Sequence, residues 1–461
     1  MSATDITDNI LSGSKARLVP VVADSKKEER ATSVLLSTFM LVPQLAEAVL
    51  TDAGAKIGVR SDIKCYTEIV FKNKDQNRAR PDGLIVITRG SNRWSALVES
   101  KIGNNDLTKE QIESYLDLAR EVGANAVITI SNQFATTPTH HPVSVNKTKT
   151  RTVDLFHFSW LSVLSKASIM SEAKGIDDRE QSMILRELVR YLGHSYSGVS
   201  PMNSMNSEWK DVCTQVQEGA VLKKSAPEIE ATAVSWQQLL RYMSLELSMA
   251  TNSTVQVAIS RAHAKDPVAL LQSDISDLVS RSTLYGALSV PNAAGPIAIC
   301  ADLTRKVLSL SMRVNAPEDR SRATAAINWL TRQLKSVTES PDLLIKAIWP
   351  GKTADTQCSI TEAIDEPSTL VPAKIKGIPK AFEVIRVIDL GSRFKGQKVF
   401  VESAIAAVPA FYRDAGQNLT KWVAPPPKTK TEELKEKADY DDIEPEPGIT
   451  ESPDGAILAG N

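Results

Sequence analysis

Two carboxylates and an ammonium sit in this sequence at spacings that suit phosphoryl chemistry. Arg80-Pro81-Asp82-Gly83 opens one apolar run, sixteen residues separate Asp82 from Glu99, and Glu99-Ser100-Lys101 closes the next run. On a strand, residues two apart share a face, so Glu99 and Lys101 are expected to point the same way. A hairpin returns Asp82, at the start of the partner strand, to their side. Such carboxylates hold a hard divalent cation through oxygen, and the cation polarises a phosphate and acidifies a bound water. The lysine orients that water or offsets charge in the transition state. The plainer alternative is an exposed ion pair on an edge strand beside an ordinary Pro-Asp-Gly turn. Ala96, Leu97 and Val98 weigh against it. They mark a buried strand, where unpaired charge is expensive.

The elements that must position these residues follow from periodicity. Between Ser25 and Ala53, Val34, Leu35, Thr38, Leu41, Val42, Leu45 and Val49 recur at helical spacing, with a kink or restart expected at Pro43. Ile63–Phe71, Asp82–Thr88 and Trp94–Lys101 read as strands, the last two joined by the turn residues Arg89-Gly-Ser-Asn-Arg93. A helix over about Leu107–Val122 and a buried strand over Ala126–Ser131 follow. The order helix, three strands, helix, strand describes an α/β unit with one mixed sheet. After a loop with His140 and His141 comes a strand over Val153–Phe158, and Ser159 is placed to cap a helix from Trp160. The His pair has no carboxylate or cysteine in view and is not read as a metal site.

Further on, 177–196 and 209–249 read as amphipathic helices. Ile297–Ala301, Val307–Val314, Leu343–Trp349, Phe382–Leu390 and Val399–Val401 read as strands, and Pro317–Leu334 as a helix with proline in its first turn. These patterns divide the chain into an N-terminal segment (1–24), an α/β domain (25–170), a helical region (171–290), a smaller α/β or α+β domain (291–423) and a disordered tail (424–461).

Composition narrows the field. With 54 Lys plus Arg against 55 Asp plus Glu, the net charge of −1 excludes a chain that coats nucleic acid all over. Any phosphate binding must therefore come from local patches. The four cysteines are scattered, without CxxC or Cys/His pairing, so a zinc site or disulfide scaffold is not expected and a reducing cytoplasm is. The apolar stretch Val34–Leu50 is broken by Pro43, Gln44 and Glu47, so a membrane span is not expected either. Neither a Walker A lysine loop nor a zinc finger is present.

Pro81-Asp82, Glu99-Ser100-Lys101 and the element order together resemble the PD-(D/E)XK nuclease superfamily, over about residues 20 to 160. Gln111-Ile-Glu-Ser-Tyr115 on the following helix fits the QxxxY extension of some branches. The resemblance implies a restriction-endonuclease-like mixed sheet flanked by helices. It also implies that Asp82 and Glu99 are metal ligands, Lys101 the catalytic lysine, and Mg²⁺ or Mn²⁺ the cofactor. Gln111 and Tyr115, one turn apart, could reach the metal water or a phosphate, although Thr108-x-x-Gln111 also has capping-box spacing. Many family members carry a glutamate on the first helix, a slot that Glu28 or Glu29 fills if it is more than a first-turn charge. Glu68 either adds a third carboxylate from inside the sheet or faces solvent.

Lys72, Lys74, Arg78 and Arg80 crowd the loop before Pro81, and could grip a phosphate backbone or be a solvated hairpin loop. The expected function is hydrolysis of phosphodiester bonds, with DNA as substrate, in repair or in defence against foreign DNA. A non-catalytic scaffold binding nucleic acid or protein is the alternative. A homodimer or protein partner through the C-terminal region stays open.

Overall fold

A computed structural model describes residues 6–72, 80–103, 105, 107–172, 176–335, 342–373 and 377–424. Lys74, Arg78 and, apart from Ala424, the tail 424–461 lie outside the described residues.

The first sheet has the order β1 (Ile10–Lys15), β2 (Asp62–Phe71), β3 (Gly83–Arg89), β4 (Asn92–Ser100), β5 (Ala126–Ser131), β6 (Asp154–Ser159). β1 to β4 pair antiparallel, while β4, β5 and β6 pair parallel. The change of sense follows from the connection. β3 and β4 are joined by a tight turn, whereas helix α3 (Lys109–Val122) carries the chain back across the sheet before β5. Alternation along the strands then divides the side chains. Ile85, Ile87, Ala96, Val98, Ile128 and Ile130 pack with helices α1 (Lys27–Leu41), α2 (Pro43–Leu50) and α4 (Trp160–Glu172). Leu84, Val86, Leu97 and Val127 pack with Ile112, Tyr115, Leu116 and Ala119 of α3. The sheet is thus covered on both faces, which is why β4 and β5 read as continuous apolar runs.

Pro43 opens α2 at its first position, and the α1–α2 pair bends by 110° there. Proline's missing N–H costs nothing at a helix start, whereas in a helix interior it costs about 3 kcal/mol. Among the described residues, no single helix is long and apolar enough to cross a membrane. β1 was not visible in the sequence. It is mostly exposed, Ile-Leu-Ser-Gly-Ser-Lys shows no alternation, and backbone pairing with β2 holds it as an edge strand.

Gly83 occupies the crossing of α1, β2 and β4. A Cβ there would lie 2.6 Å from Leu36 Cδ1, 3.3 Å from the Tyr66 carbonyl and 3.4 Å from Val98 Cβ. Gly83→Ala is therefore expected to destabilise the fold by about 1–3 kcal/mol, the usual cost of overpacking. Chemical denaturation with an unchanged m-value reads this directly.

The second half contains α5 (Arg179–Leu192), α6 (Trp209–Gln217), α7 (Pro227–Thr251), α8 (Arg261–Lys265), α9 (Pro267–Arg281), α10 (Ala323–Gln333), α11 (Ile360–Asp365) and α12 (Gln397–Asp414). Its sheet is antiparallel throughout. The order is β12 (Thr356–Ser359), β11 (Leu343–Ile348), β13 (Ala381–Asp389), β10 (Val307–Asn315), β9 (Ile297–Asp302), β8 (Thr283–Ser289), β7 (Gln256–Val257).

Three readings of this half are corrected. The region 171–290 is not all helix, because β7 and β8 lie within it and belong to this sheet. The helix expected from Pro317 starts at Ala323. The strand expected at Val399–Val401 is part of α12, where Phe400, Ala404, Val408 and Phe411 form a buried stripe at helical spacing. A three-residue window could not show that period. The second sheet is also the larger of the two, with seven strands against six.

One apolar cluster runs through both sheets and the helices between them, so Met1–Trp422 is a single compact unit. An aromatic knot helps to close it. Trp209 of α6 stacks near Phe400 of α12 with ring centres 4.6 Å apart, and its indole N–H donates to the Phe394 carbonyl at 3.1 Å.

Candidate functional site

The register of the β3–β4 hairpin builds the site. Gly83 pairs with Val98, so the residues one step outward, Asp82 and Glu99, stand opposite each other at the sheet's end. Opposed residues of an antiparallel pair share a face. Glu99 is two residues beyond Leu97, so both lie on the α3 side of the sheet, and Lys101 two further on follows. The side-chain ammonium of Lys101 donates to Glu99 Oε1 at 2.8 Å. From α3, Gln111 donates to the same Oε1 at 2.6 Å. Thr108 caps α3 by accepting the Gln111 backbone N–H at 3.3 Å. The cap fixes the backbone of Gln111 and leaves its amide to reach the carboxylate. Only the Thr108 half of the capping box forms, because the Gln111 side chain is turned to Glu99.

Ser100, between the two site residues, points to the other face. Its backbone N–H and hydroxyl both approach Asp82 Oδ2, at 2.8 and 3.2 Å. Its hydroxyl also bonds Thr32 of α1 at 2.6 Å. Glu28, one turn earlier on α1, places Oε2 3.5 Å from the Lys101 ammonium. Its Oε1 accepts from the Ile102 backbone N–H at 3.3 Å and the Asn105 amide at 2.8 Å. Of the two candidates on the first helix, Glu28 reaches the cluster, while Glu29 pairs with Lys26 at 2.6 Å. Trp160 donates its indole N–H to the Lys101 carbonyl at 2.9 Å. Thus α1, α3 and α4 all converge on one strand end.

The electrostatics are those of crowded, buried acid. Glu99 is 2 % exposed and its Oε2 has no hydrogen-bond partner. The Tyr115 hydroxyl stands near it but donates its proton to the Arg80 carbonyl at 3.1 Å. Burial raises the Glu99 carboxyl above the usual carboxylate range, against the pull of Lys101. Burial and then the charge of Glu99 push Asp82 up to about 7, although the Ser100 donors and Lys101 oppose this. For Lys101, burial favours the neutral amine. The bond to Glu99 and the charges of Glu99, Asp82 and Glu28 outweigh it, and the net shift is upward. Lys101 is therefore an ammonium at neutral pH.

Among the described residues, no group of three or more His, Cys, Asp or Glu side chains is assembled to hold a metal alone. The donor set still fits Mg²⁺ or Mn²⁺. Magnesium is commonly held by one or two carboxylates, its other positions going to water and substrate phosphate. Two like-charged carboxylates with raised proton affinity, one with a buried unpartnered oxygen, are what a cation would relieve. Asp82 lines a cleft of about 530 Å³, whose walls include Lys26, Lys27, Glu28, Glu68 and the backbone of Gly103.

The remaining expected residues, apart from the Tyr115 hydroxyl beside Glu99, fall outside the carboxylate cluster. Glu68 sits on a bulge of β2 with φ +54° and pairs with Arg80 at 2.9 Å, so it lines the cleft from the side. Arg80 is spent on that pair. The Lys72 ammonium donates to the Asp8 carbonyl at 2.7 Å and ties the N-terminal segment down. Tyr115, 4 % exposed, is a core residue that fixes the strand start through Arg80. It is not displayed to a ligand.

His141 and His157 both bond the Thr129 hydroxyl, at 2.8 and 2.9 Å, and burial lowers them to about 3 and about 4. They are neutral core residues. Sequence reasoning missed Thr32, Asn105, Trp160 and the exposed Tyr196, whose ring lies 5.2 Å below the Lys27 ammonium. Thr32 and Trp160 join the site through hydrogen bonds between distant segments, and Asn105 through its amide on Glu28.

Compared with protein-family models, curated proteins and solved structures, the chain finds no match.

Proposed function

We propose that this chain is a metal-dependent nuclease with a PD-(D/E)XK-type site, acting on DNA. The observation that carries this reading is the buried, unpartnered Glu99 Oε2 beside Asp82, with the Lys101 ammonium 2.8 Å from the other Glu99 oxygen. A sheet end built only for stability has no reason to bury two carboxylates that repel each other. The order of α1, β2, β3, β4, α3 and β5, with a helix on each face, supports a restriction-endonuclease-like core.

Mg²⁺ or Mn²⁺ held by Asp82 and Glu99 would polarise a phosphate oxygen and acidify a water. The chain's own groups do the rest. Gln111 and Lys101 both engage Glu99 Oε1, so Glu99 would hold a cation with the oxygen they leave unbonded. Lys101, kept protonated by three carboxylates, acts as an electrostatic stabiliser of the charge growing on the phosphate and not as a proton acceptor. Glu28 and Trp160 hold the backbone on either side of Lys101, through Ile102 N–H and the Lys101 carbonyl, so the ammonium is preorganised. Lys27 on the cleft wall is placed to meet the phosphate backbone, whereas Lys26 there is paired with Glu29.

The purified chain is expected to cut labelled DNA in Mg²⁺ or Mn²⁺ and to stop in EDTA. Panels of single-stranded, duplex and branched DNA and of RNA identify the substrate. A chain that binds these substrates but cuts none with either metal is a binding scaffold, and the catalytic reading fails.

A further inference from the structure

A cavity away from the carboxylate cluster lies between helices α2 and α4 of the first half and the β7–β8 edge of the second. It has a volume of about 900 Å³, within the range of small-molecule sites. From the first half it takes Asp52 after α2, the loop Thr136–Thr139, and Lys166 and Met170 of α4. From the second half it takes Arg241 of α7, Gln256–Ile259 at β7, and Ser289 of β8.

Its charges do not balance. Lys166 is satisfied by Asp52 at 2.7 Å and by the Ala48 carbonyl. That leaves Arg241, whose one hydrogen bond among the described residues is to the Ser244 hydroxyl at 3.4 Å. No described carboxylate comes within ion-pair distance of its guanidinium, because Asp52, the acid that influences it, is already bound by Lys166. The Arg241 side chain is half-buried, and that burial draws its guanidinium down to about 10. A half-buried guanidinium with no carboxylate partner, facing a cavity, is open to an anion from solvent. Its planar fork matches phosphate oxygens two at a time. Around it the walls offer hydroxyls and an amide (Thr137, Thr139, Gln256, Ser289) beside apolar surface from Ile169, Met170 and Ile259. Such a lining suits a ligand with an anionic end and a flat, partly apolar body.

We propose that this cavity binds a phosphate-bearing small molecule of about nucleotide size, with Arg241 as its anion anchor. Bound there, the molecule would touch both halves of the chain. The site is independent of the nuclease reading, since it shares no residue with the carboxylate cluster.

The test uses the full chain without nucleic acid, in EDTA so that no metal bridges a phosphate to Asp82 and Glu99. Calorimetry and thermal shift are run with inorganic phosphate, pyrophosphate, AMP and ATP, with adenosine and malonate as controls. At least one phosphate probe is expected to bind saturably and raise the unfolding temperature. Arg241→Met should weaken it about ten- to a hundredfold, the usual effect of losing a hydrogen-bonded charge. Glu99→Gln should bind like wild type whether or not the chain cuts DNA. Should Arg241→Met fail to fold, Arg241→Lys keeps the charge without the fork and should bind several-fold more weakly. The proposal is overturned if no phosphate probe binds, if malonate binds more tightly than every one of them, or if affinity survives both Arg241 substitutions.

Discussion

Lys101→Ala is expected to slow metal-dependent DNA cleavage by about 10²–10³-fold, the usual consequence of removing one preorganised charge-stabilising group. The ammonium sits inside a ring of three acids and is kept protonated by them, so its charge is fully present when negative charge grows on the phosphate. Its loss should fall on kcat, because the cation matters most in the transition state. DNA affinity should change little, since Lys27 on the cleft wall is untouched. Lys101→Arg is a useful companion. It keeps the charge, but a broader guanidinium cannot sit 2.8 Å from Glu99 and 3.5 Å from Glu28 without displacing one of them. Partial activity in the arginine variant alongside an inactive alanine variant would assign the role to placed charge. Equal cleavage by wild type and Lys101→Ala, measured in single turnover, would remove Lys101 from the mechanism.

Much of this site was legible because it is local. Glu99 and Lys101 lie two apart on one strand, and the hairpin that returns Asp82 is set by a tight turn. Gln111 follows one helix cap later. Each of these relations is a spacing along the chain, and spacing is what periodicity reports. The contributions of Thr32, Glu28 and Trp160 are different in kind. They arrive across 59 to 74 residues, through packing of α1 and α4 on the sheet. Only the choice between Glu28 and Glu29 could be posed from sequence, and the reach of Glu28 to Lys101 and the Ile102 N–H decides it.

The fold shows the same division. The kink at Pro43 and the cap at Ser159, which accepts the Ser162 N–H at 3.0 Å, are chemistry of single residues. β1 is an edge strand with no face to bury, so nothing apolar announces it. β7 has only two residues, and β8, which follows closely on a helix, buries its side chains without clean alternation. The Arg241 cavity had no signal at all, since an arginine on an amphipathic helix reads as solvent-facing until a second sheet covers it.

Asp82→Asn is expected to stabilise the metal-free protein at pH 8, and to do so by only about a third as much at pH 5. The sign follows from the direction of the shift. Burial and the charge of Glu99 raise Asp82 from its ordinary 3.8 to about 7, so between those values the folded chain holds a proton that the unfolded chain has lost. Stability therefore falls as pH rises through that window, and above it the fold carries the whole cost of an ionised Asp82. This is opposite to a salt-bridged carboxylate, whose contribution is lost on acidification. At about 1.36 kcal/mol per unit the shift is worth at most about 4 kcal/mol. Glu99 shares the proton and Lys101 offsets part of the repulsion, so a gain on the order of 1–3 kcal/mol is expected. Asparagine keeps an oxygen for the Ser100 donors, so the structural bond survives the change. Metal reverses the order. Wild type should gain up to about 2.7 kcal/mol in Mg²⁺ at a hundred times its dissociation constant, and the asparagine variant much less. Thermal unfolding at pH 5 and pH 8, with EDTA and with Mg²⁺, gives all four numbers. If Asp82→Asn is destabilising at both pH values and the two proteins respond alike to metal, Asp82 is a structural acceptor for Ser100 and holds no cation.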